Sequence, residues 1–172
     1  VGIVQSGIRN DRGKVENQYI LDAAGKVAYK ARTDGSAVNS IMVLGSQELG
    51  NQFGNVFNPV AIGNKLAFTA VNYPDQNTLD YFLVFDNQET PMARPLDSLS
   101  NVDGKLAYLK RTTDTERILV IGDQEFGHNS YVNNYVANGK VVAYLNRDGE
   151  IRAGDIDKAK ADLLAAHQCK AI

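Results

Sequence analysis

The chain of 172 residues contains no tryptophan, one cysteine, two histidines and four prolines. The single cysteine, Cys169, excludes a disulfide within the chain. The formal net charge is −2 and no block of Lys and Arg occurs, which argues against a nucleic-acid-binding surface because such surfaces need clustered positive charge. No apolar run approaches the roughly 18 residues of a membrane-spanning helix. What remains is the profile of an ordinary globular domain, with 44% hydrophobic residues.

The motifs of common enzyme classes are also missing. There is no Gly-x-Ser-x-Gly elbow, no phosphate-binding loop and no zinc spacing, and His128 and His167 belong to different predicted elements. Asp123 and Glu125 lie close enough to His128 to suggest a metal site, but their turn phrase recurs elsewhere without a histidine. We therefore predict no catalytic residues, no metal and no cofactor, and a binding protein in preference to an enzyme.

One phrase does occur four times along the chain. Its copies are Ala23–Tyr29, Ala61–Phe68, Asp103–Tyr108 and Asn138–Tyr144, with marker glycines at 25, 63, 104 and 139. A second phrase keeps the same period, at Ile41–Glu48, Phe82–Glu89 and Ile118–Glu125. A period of about 40 residues with strand-like content is typical of a β-propeller.

The residues of each copy suit a hairpin. Asn-Gly and Asp-Gly favour the positive φ angles of tight turns. The Val-Ala-Tyr type of run that follows is apolar at every position, as a strand covered on both faces requires. The Ile-Leu-Val-Ile run of the second phrase is rich in β-branched residues and is bounded by turn residues.

This pattern resembles the bacterial WD-like β-propeller repeats of the TolB type, over about residues 15–154. The resemblance implies an all-β fold, a small β-propeller of about four blades. Propellers of this type occur in binding proteins, in envelope proteins and attached to peptidases, so the resemblance leaves the function open. The Ser-Pro that precedes the turn in that family is absent from all four copies, and the fourth copy lacks the Gln-Glu phrase.

The period ends near residue 154, so we predict a propeller-like domain over 1–154 and a helical tail over 155–172. Asp155 and Asp157 suit the start of a helix, and Ile156, Ala159, Leu163 and Ala166 recur at helical spacing. A short C-terminal α-helix packed on the propeller is the preferred interpretation. The alternative is a helix that docks a partner.

The two ends of the chain could close the ring. Val1–Gln5 resembles the Val-rich second strand of a repeat whose first half is missing, and its pairing with Glu150–Ala153 would supply the outer strand that the fourth copy lacks. Alternatively, the chain is an arc that a second copy or further residues complete, so we expect a monomer or a homodimer. A start at Val1 is what processing of an exported protein would leave. The compartment stays open.

Candidate binding residues lie where the inner strands begin. They are Asn17, Tyr19, Asn58, Asp97, Asn133 and Tyr135. Asparagine and tyrosine side chains around a channel suit a polar, uncharged ligand such as a glycan, another small molecule or the backbone of a protein partner. The competing interpretation is that the asparagines stabilise turns.

Three functions follow from this sequence-based scheme. The first is a non-enzymatic scaffold that binds through the loops of one propeller face. The second is an accessory or catalytic propeller of a hydrolase or lyase, which perturbed acids in the channel would favour. The third is a structural assembly unit.

Overall fold

The computed structural model of the chain describes residues 21–23, 26–32, 39–50, 52–128 and 131–156. These residues form strands, turns and bends and contain no helix, which confirms the predicted all-β class. None of the described segments is therefore a helix that could cross a membrane. The chain divides into two compact units, which we call unit 1 (Val1–Pro95) and unit 2 (Leu96–Ile172).

Unit 1 contains two antiparallel sheets of four strands, each arranged in chain order. The first consists of β1 (Leu21–Ala23), β2 (Lys26–Arg32), β3 (Ser40–Leu44) and β4 (Gln47–Leu49). The second consists of β5 (Asn55–Ile62), β6 (Lys65–Asn72), β7 (Asp80–Phe85) and β8 (Gln88–Met92). The fourth strand of the second sheet is polar and exposed and contains Pro91, which an edge strand tolerates because proline lacks the amide hydrogen.

Unit 2 contains one four-stranded and one three-stranded antiparallel sheet, again in chain order. The first consists of β9 (Leu99–Val102), β10 (Lys105–Arg111), β11 (Arg117–Ile121) and β12 (Gln124–Phe126). The second consists of β13 (Val132–Asn138), β14 (Val141–Asn146) and β15 (Ile151–Asp155). As far as the described residues show, each of the four sheets is open, and none closes on itself.

The hairpin turns follow from the Asp-Gly and Asn-Gly pairs. Between β9 and β10, Asp103 and Gly104 have φ angles of 50° and 75°. Two consecutive positive φ angles are characteristic of the type I′ turn, whose twist matches that of the flanking strands. The side chain of Asn101 accepts a hydrogen bond from the Gly104 amide at 2.9 Å and tightens this turn. The local sequence therefore sets the register of β9 against β10.

Each unit has its own apolar core. In unit 1 the largest fully buried side chains are Met42 and Phe68, and Phe53 packs on Phe82 with ring centroids 5.0 Å apart. In unit 2 both sheets contribute to one apolar cluster. Its members are Val102, Ala107, Leu109, Leu119, Ile121, Phe126, Val132, Val142, Tyr144 and Ile156. The middle strands β6 and β11 are buried on both faces, in keeping with their continuous apolar sequence.

In the last sheet the residue that follows the third strand is apolar. A turn begins directly after β15 at Ile156, as it does after the third strands of the other sheets. A Cβ on Gly154 would lie 3.4 Å from Phe126 Cε1, an ordinary van der Waals distance, so this part of β15 lies against the Phe126 ring. Ile156 is fully buried and its amide donates to the Lys140 carbonyl at 2.7 Å. Ile156 thus adds an apolar side chain to the core of unit 2 at the position that Gly45, Asp86 and Gly122 hold in the other sheets.

Two sequence-based predictions concern residues that the structure does not describe. The first is the helical tail predicted over 155–172, of which only Asp155 and Ile156 are described. Asp155 is the last residue of β15, and Ile156 belongs to the core of unit 2. The strand Val1–Gln5 also lies outside the described residues, so its pairing with Glu150–Ala153 stays a prediction.

Candidate functional site

Of the six predicted site residues, two lie outside the described residues and a third belongs to unit 1. Asn17 and Tyr19 lie outside the described residues. Asn58 belongs to unit 1, where it has a positive φ of 50° at a register shift between β5 and β6. Its Nδ2 donates to Thr69 Oγ1 at 3.5 Å, and that hydroxyl donates to the Phe57 carbonyl at 3.2 Å. Asn58 therefore shapes a β-bulge, which is the turn-type role that competed with ligand binding.

In unit 2, Arg117 at the start of β11 connects two other predicted residues. Its Nη1 forms an ion pair with Asp97, its Nε donates to the Val132 carbonyl at 2.6 Å, and its Nη2 donates to the Asn133 carbonyl at 2.6 Å. The Arg117 side chain is only 13% exposed. One guanidinium thus joins the segment before β9 to the start of β13. Its Nε, Nη1 and Nη2 groups all donate to acceptors within unit 2.

Tyr131 completes this arrangement from one side. The Arg117 guanidinium lies 4.8 Å from the centroid of the Tyr131 ring, within the range of a cation–π contact. The Tyr131 hydroxyl accepts a hydrogen bond from Arg111 Nη2 at 2.9 Å. We call Asp97, Arg111, Arg117, Tyr131 and Asn133 the Arg117 cluster. Its polar groups bind one another, so the cluster joins elements of the fold and presents few donors to a ligand.

Asn133 is also tied to the turn between β14 and β15. Its Nδ2 donates to the Asn146 carbonyl at 3.3 Å. The buried Asn146 side chain accepts from the amides of Asp148 and Glu150 at 3.1 and 2.9 Å, and it donates to Glu150 Oε2 at 3.0 Å. Arg152 Nη2 donates to the same Glu150 oxygen at 3.0 Å. Asn133 therefore contributes to the stability of this turn, and its role in a binding site stays a prediction.

The Glu150 contacts predict a specific pH dependence. Hydrogen bonds from Arg152 and Asn146 lower the pKa of Glu150. A carboxylate whose folded pKa is depressed stabilises the fold above its unfolded pKa of about 4.3, and this contribution is lost as the pH falls through the folded value. We expect Glu150→Gln to reduce the loss of thermal stability on acidification below about pH 5, as measured by melting temperature against pH.

A double-mutant cycle tests that assignment. Arg152→Gln removes the largest cause of the lowered pKa of Glu150 and should flatten the same pH range. The combined variant should then add little to either single change. Additive effects of the two substitutions on the pH profile would contradict the coupling.

Tyr135 lies in a different environment, an open groove between the first strands of the two sheets of unit 2. The groove has a volume of about 260 Å³. Its lining is contributed by β9, β13 and the turns that follow them, namely Ser100, Asn101, Val102, Asp103, Tyr135, Val136, Ala137 and Gly139. Four of these eight residues, Ser100, Asn101, Asp103 and Tyr135, have polar side chains, so the groove is suited to a polar ligand.

Two hydroxyls meet across this groove. Ser100 Oγ and the Tyr135 hydroxyl form a hydrogen bond that joins β9 to β13. Each residue stands four positions before the marker glycine of its own repeat, Gly104 and Gly139. Equivalent positions on two consecutive first strands therefore face one another. A hydroxyl pair of this kind can exchange its internal hydrogen bond for bonds to a ligand.

The groove lacks the groups that acid–base or nucleophilic chemistry needs. Its lining includes one carboxylate, Asp103, and no histidine, cysteine or lysine. Ser100 therefore has no base beside it within the lining. Burial raises the pKa values of Tyr108 and Tyr144, and neither residue lines the groove.

One of the acidic residues near His128, Glu125, contacts two basic side chains. Glu125 contacts Lys110 Nζ at 3.4 Å and His128 Nε2 at 3.4 Å, and all three side chains are more than a third exposed. Within the described ranges no group of three or more His, Cys, Asp or Glu side chains is arranged as a metal-binding set.

Sequence reasoning missed Ser100 and Arg117. The signal for Ser100 was the phase of the repeat, because it occupies the position that Tyr135 holds in the next copy. Arg117 had no comparable signal, since its acceptors lie 15 to 20 residues away along the chain. Only the packing of β11 beside β13 brings them together.

Comparison of the chain with protein-family models, with curated proteins and with solved structures found no match. The function must therefore be argued from the geometry of the groove and of the surfaces around it.

Proposed function

We propose that the chain is a non-enzymatic binding module built as a small β-propeller of the TolB or WD-like type. In this proposal the four sheets are blades, and the loops on one face of the propeller bind the ligand. Support comes from the chain-order meander of every described sheet and from the equivalent positions of Ser100 and Tyr135 on consecutive first strands.

The ligand we propose is polar and uncharged, with hydroxyl or amide groups like those of a sugar or a peptide backbone. The observation that carries this proposal is the Ser100–Tyr135 hydroxyl pair in an open groove with a single carboxylate in its lining. A volume of about 260 Å³ is slightly below the usual range for small-molecule sites. It suits one sugar ring, or a short portion of a peptide, better than a large cofactor.

The enzyme alternative gains no support from this groove, because the acids whose pKa values are shifted, Asp75 and Glu150, do not line it. The assembly alternative draws on a different feature, the exposed apolar face of the last sheet.

Removal of the Tyr135 hydroxyl tests the binding proposal. We expect methyl glycosides or N-acetylated amino-acid amides to shift the backbone amide signals of Ser100, Asn101 and Tyr135 in heteronuclear NMR titrations. Tyr135→Phe should weaken the binding about five-fold, because one hydrogen bond of roughly 1 kcal/mol is lost. Ser100→Ala should have an effect of similar size.

The matched control is Tyr81→Phe, which removes a tyrosine hydroxyl from β7 in unit 1. This control should leave the affinity unchanged. Shifts that avoid the groove residues, or an affinity that Tyr135→Phe does not alter, would exclude the groove as the site.

A further inference from the structure

Two arginines lie directly opposite one another at the end of the ladder between β10 and β11. Arg111, the last residue of β10, pairs with Arg117, the first residue of β11. Directly paired residues project to the same side of a sheet, and like charges in such a pair destabilise it. Arg117 forms an ion pair with Asp97. Among the described residues no carboxylate forms an ion pair with Arg111, so only one of the two positive charges is matched.

The side chain of Tyr131 lies against both guanidinium groups. Its ring centroid is 4.8 Å from Arg117 Cζ and 5.9 Å from Arg111 Cζ. The Tyr131 hydroxyl oxygen accepts a hydrogen bond from Arg111 Nη2 at 2.9 Å. A phenolic hydroxyl can accept one hydrogen bond and donate another. The contact therefore places the O–H group of Tyr131 beside the N–H groups of Arg111.

Arg111 supplies the few donors that the Arg117 cluster leaves open. A guanidinium carries five N–H donors. Within the part of the chain that the structure describes, the hydrogen bond to Tyr131 is the one that the Arg111 side chain forms. Arg117, in contrast, donates to Asp97 and to two main-chain carbonyls. The donors available to a ligand are therefore those of Arg111 and the Tyr131 hydroxyl.

The acidic residues that are nearest in sequence do not pair with Arg111. Asp114 and Glu116 lie in the connection between β10 and β11. The Glu116 carboxylate accepts a hydrogen bond from the Thr112 hydroxyl within that connection. Neither acid forms an ion pair with Arg111. The position beside Arg111 and Tyr131 is therefore open to an anionic group from a ligand.

We propose that Arg111 and Tyr131 bind a carboxylate group of a ligand. A carboxylate is planar and accepts two hydrogen bonds from neighbouring donors, a geometry that matches a guanidinium. It would accept from Arg111 and from the Tyr131 hydroxyl. Its negative charge would also offset the repulsion between Arg111 and Arg117.

This carboxylate site is separate from the groove of the proposed function. The groove includes Asp103, in the turn before β10, whereas Arg111 ends β10. Six residue steps along a strand correspond to about 20 Å. The carboxylate site therefore does not rest on the proposed function, and signals from the two places can be read separately.

Titration with sodium acetate, at an ionic strength held constant by removal of sodium chloride, tests the proposal on the full-length chain. In heteronuclear NMR we expect the Arg111 Nε–H signal and the backbone amides of Thr112 and Tyr131 to shift and saturate. Arg111→Gln should weaken acetate binding about ten-fold, because charge-assisted hydrogen bonds are lost. Tyr131→Phe keeps the ring and should weaken binding about three- to five-fold.

The matched control is Lys110→Gln, which removes one positive charge from the same strand. Lys110 precedes Arg111, so its side chain projects to the other side of the sheet, where it contacts Glu125. This variant should leave the acetate affinity unchanged. It separates binding at Arg111 from a general effect of net charge.

A second probe identifies the source of the carboxylate. The peptide acetyl-Ala-Glu-Ala-amide presents one acidic side chain between peptide groups. If it binds about five-fold more tightly than acetate and remains sensitive to Arg111→Gln, the ligand is an acidic side chain of a protein. Equal affinities of the two probes assign the site to small organic acids.

Two results would overturn the proposal. If exchange of chloride for acetate shifts no signal of Arg111 or Tyr131, these residues respond to anions only through general screening. If Arg111→Gln leaves the affinity for both probes unaltered, the carboxylate binds elsewhere.

Discussion

Replacement of Arg117 by methionine is expected to destabilise unit 2 by about 3 kcal/mol. Methionine keeps much of the side-chain volume but donates no hydrogen bond, so the carbonyls of Val132 and Asn133 lose their partner. A hydrogen bond from a charged donor contributes about 1.5–3 kcal/mol, and groups left unpaired in a partly buried site add to the loss. Chemical denaturation monitored by circular dichroism measures the change. Hydrogen exchange at the β11 and β13 amides would locate it.

The ion pair contributes less than the two carbonyl contacts. Asp97 is 46% exposed, so Asp97→Asn should cost less than about 1 kcal/mol. Arg117→Lys should retain part of the attraction to Asp97 but lose the planar fork, and its stability should fall between the two variants. If Asp97→Asn is as destabilising as Arg117→Met, the carbonyl contacts are not the source of the stability.

Replacement of Gly50 by alanine should destabilise unit 1 by about 3 kcal/mol. Gly50 has a φ of +73°, and a Cβ there would lie 3.1 Å from Phe68 Cε2 and 3.2 Å from Val56 Cγ1. The left-handed backbone costs a non-glycine residue about 1–2 kcal/mol. Crowding in a packed core adds about 1–3 kcal/mol, because Phe68 and Val56 have little room to move. Thermal and urea denaturation provide the measurement.

Gly63→Ala is the matched control, because it measures the cost of the left-handed backbone conformation without crowding. Gly63 has a φ of +60°, and a Cβ at this position would meet nothing within 4 Å. Its replacement should therefore cost only about 1–2 kcal/mol. The difference between the two variants isolates the crowding at Gly50, and equal losses would mean that the core accommodates the extra methyl group.

Gly50 and Gly63 differ in how far the repeat pattern of the sequence predicts their roles. Gly63 is a marker glycine, and its positive φ was expected from the turn phrase. Gly50 lies outside both recurring phrases, yet its position against Phe68 makes it the more sensitive of the two. Sequence period predicts where a chain turns, whereas sensitivity to substitution depends on what packs against the turn.

The structure places the predicted binding residues that it describes in different environments. Tyr135 lies in the groove, at the repeat position from which Ser100 faces it. Asp97 and Asn133 belong instead to the Arg117 cluster, and Asn58 supports a bulge in β5. Asparagine and aspartate serve turns and ligands with the same side-chain groups, so residue type alone could not separate these roles.

The sequence by itself determined the all-β class, the hairpin turns and the approximate places of the strands, because apolar runs and Asp-Gly or Asn-Gly pairs act over a few residues. Tertiary structure decided the rest. It placed Ser100 against Tyr135 across 35 residues of chain, gathered three acceptors around Arg117, and buried one side of β14 while leaving Val136 and Val141 exposed. These contacts depend on how sheets pack, and packing is a property of distant segments meeting.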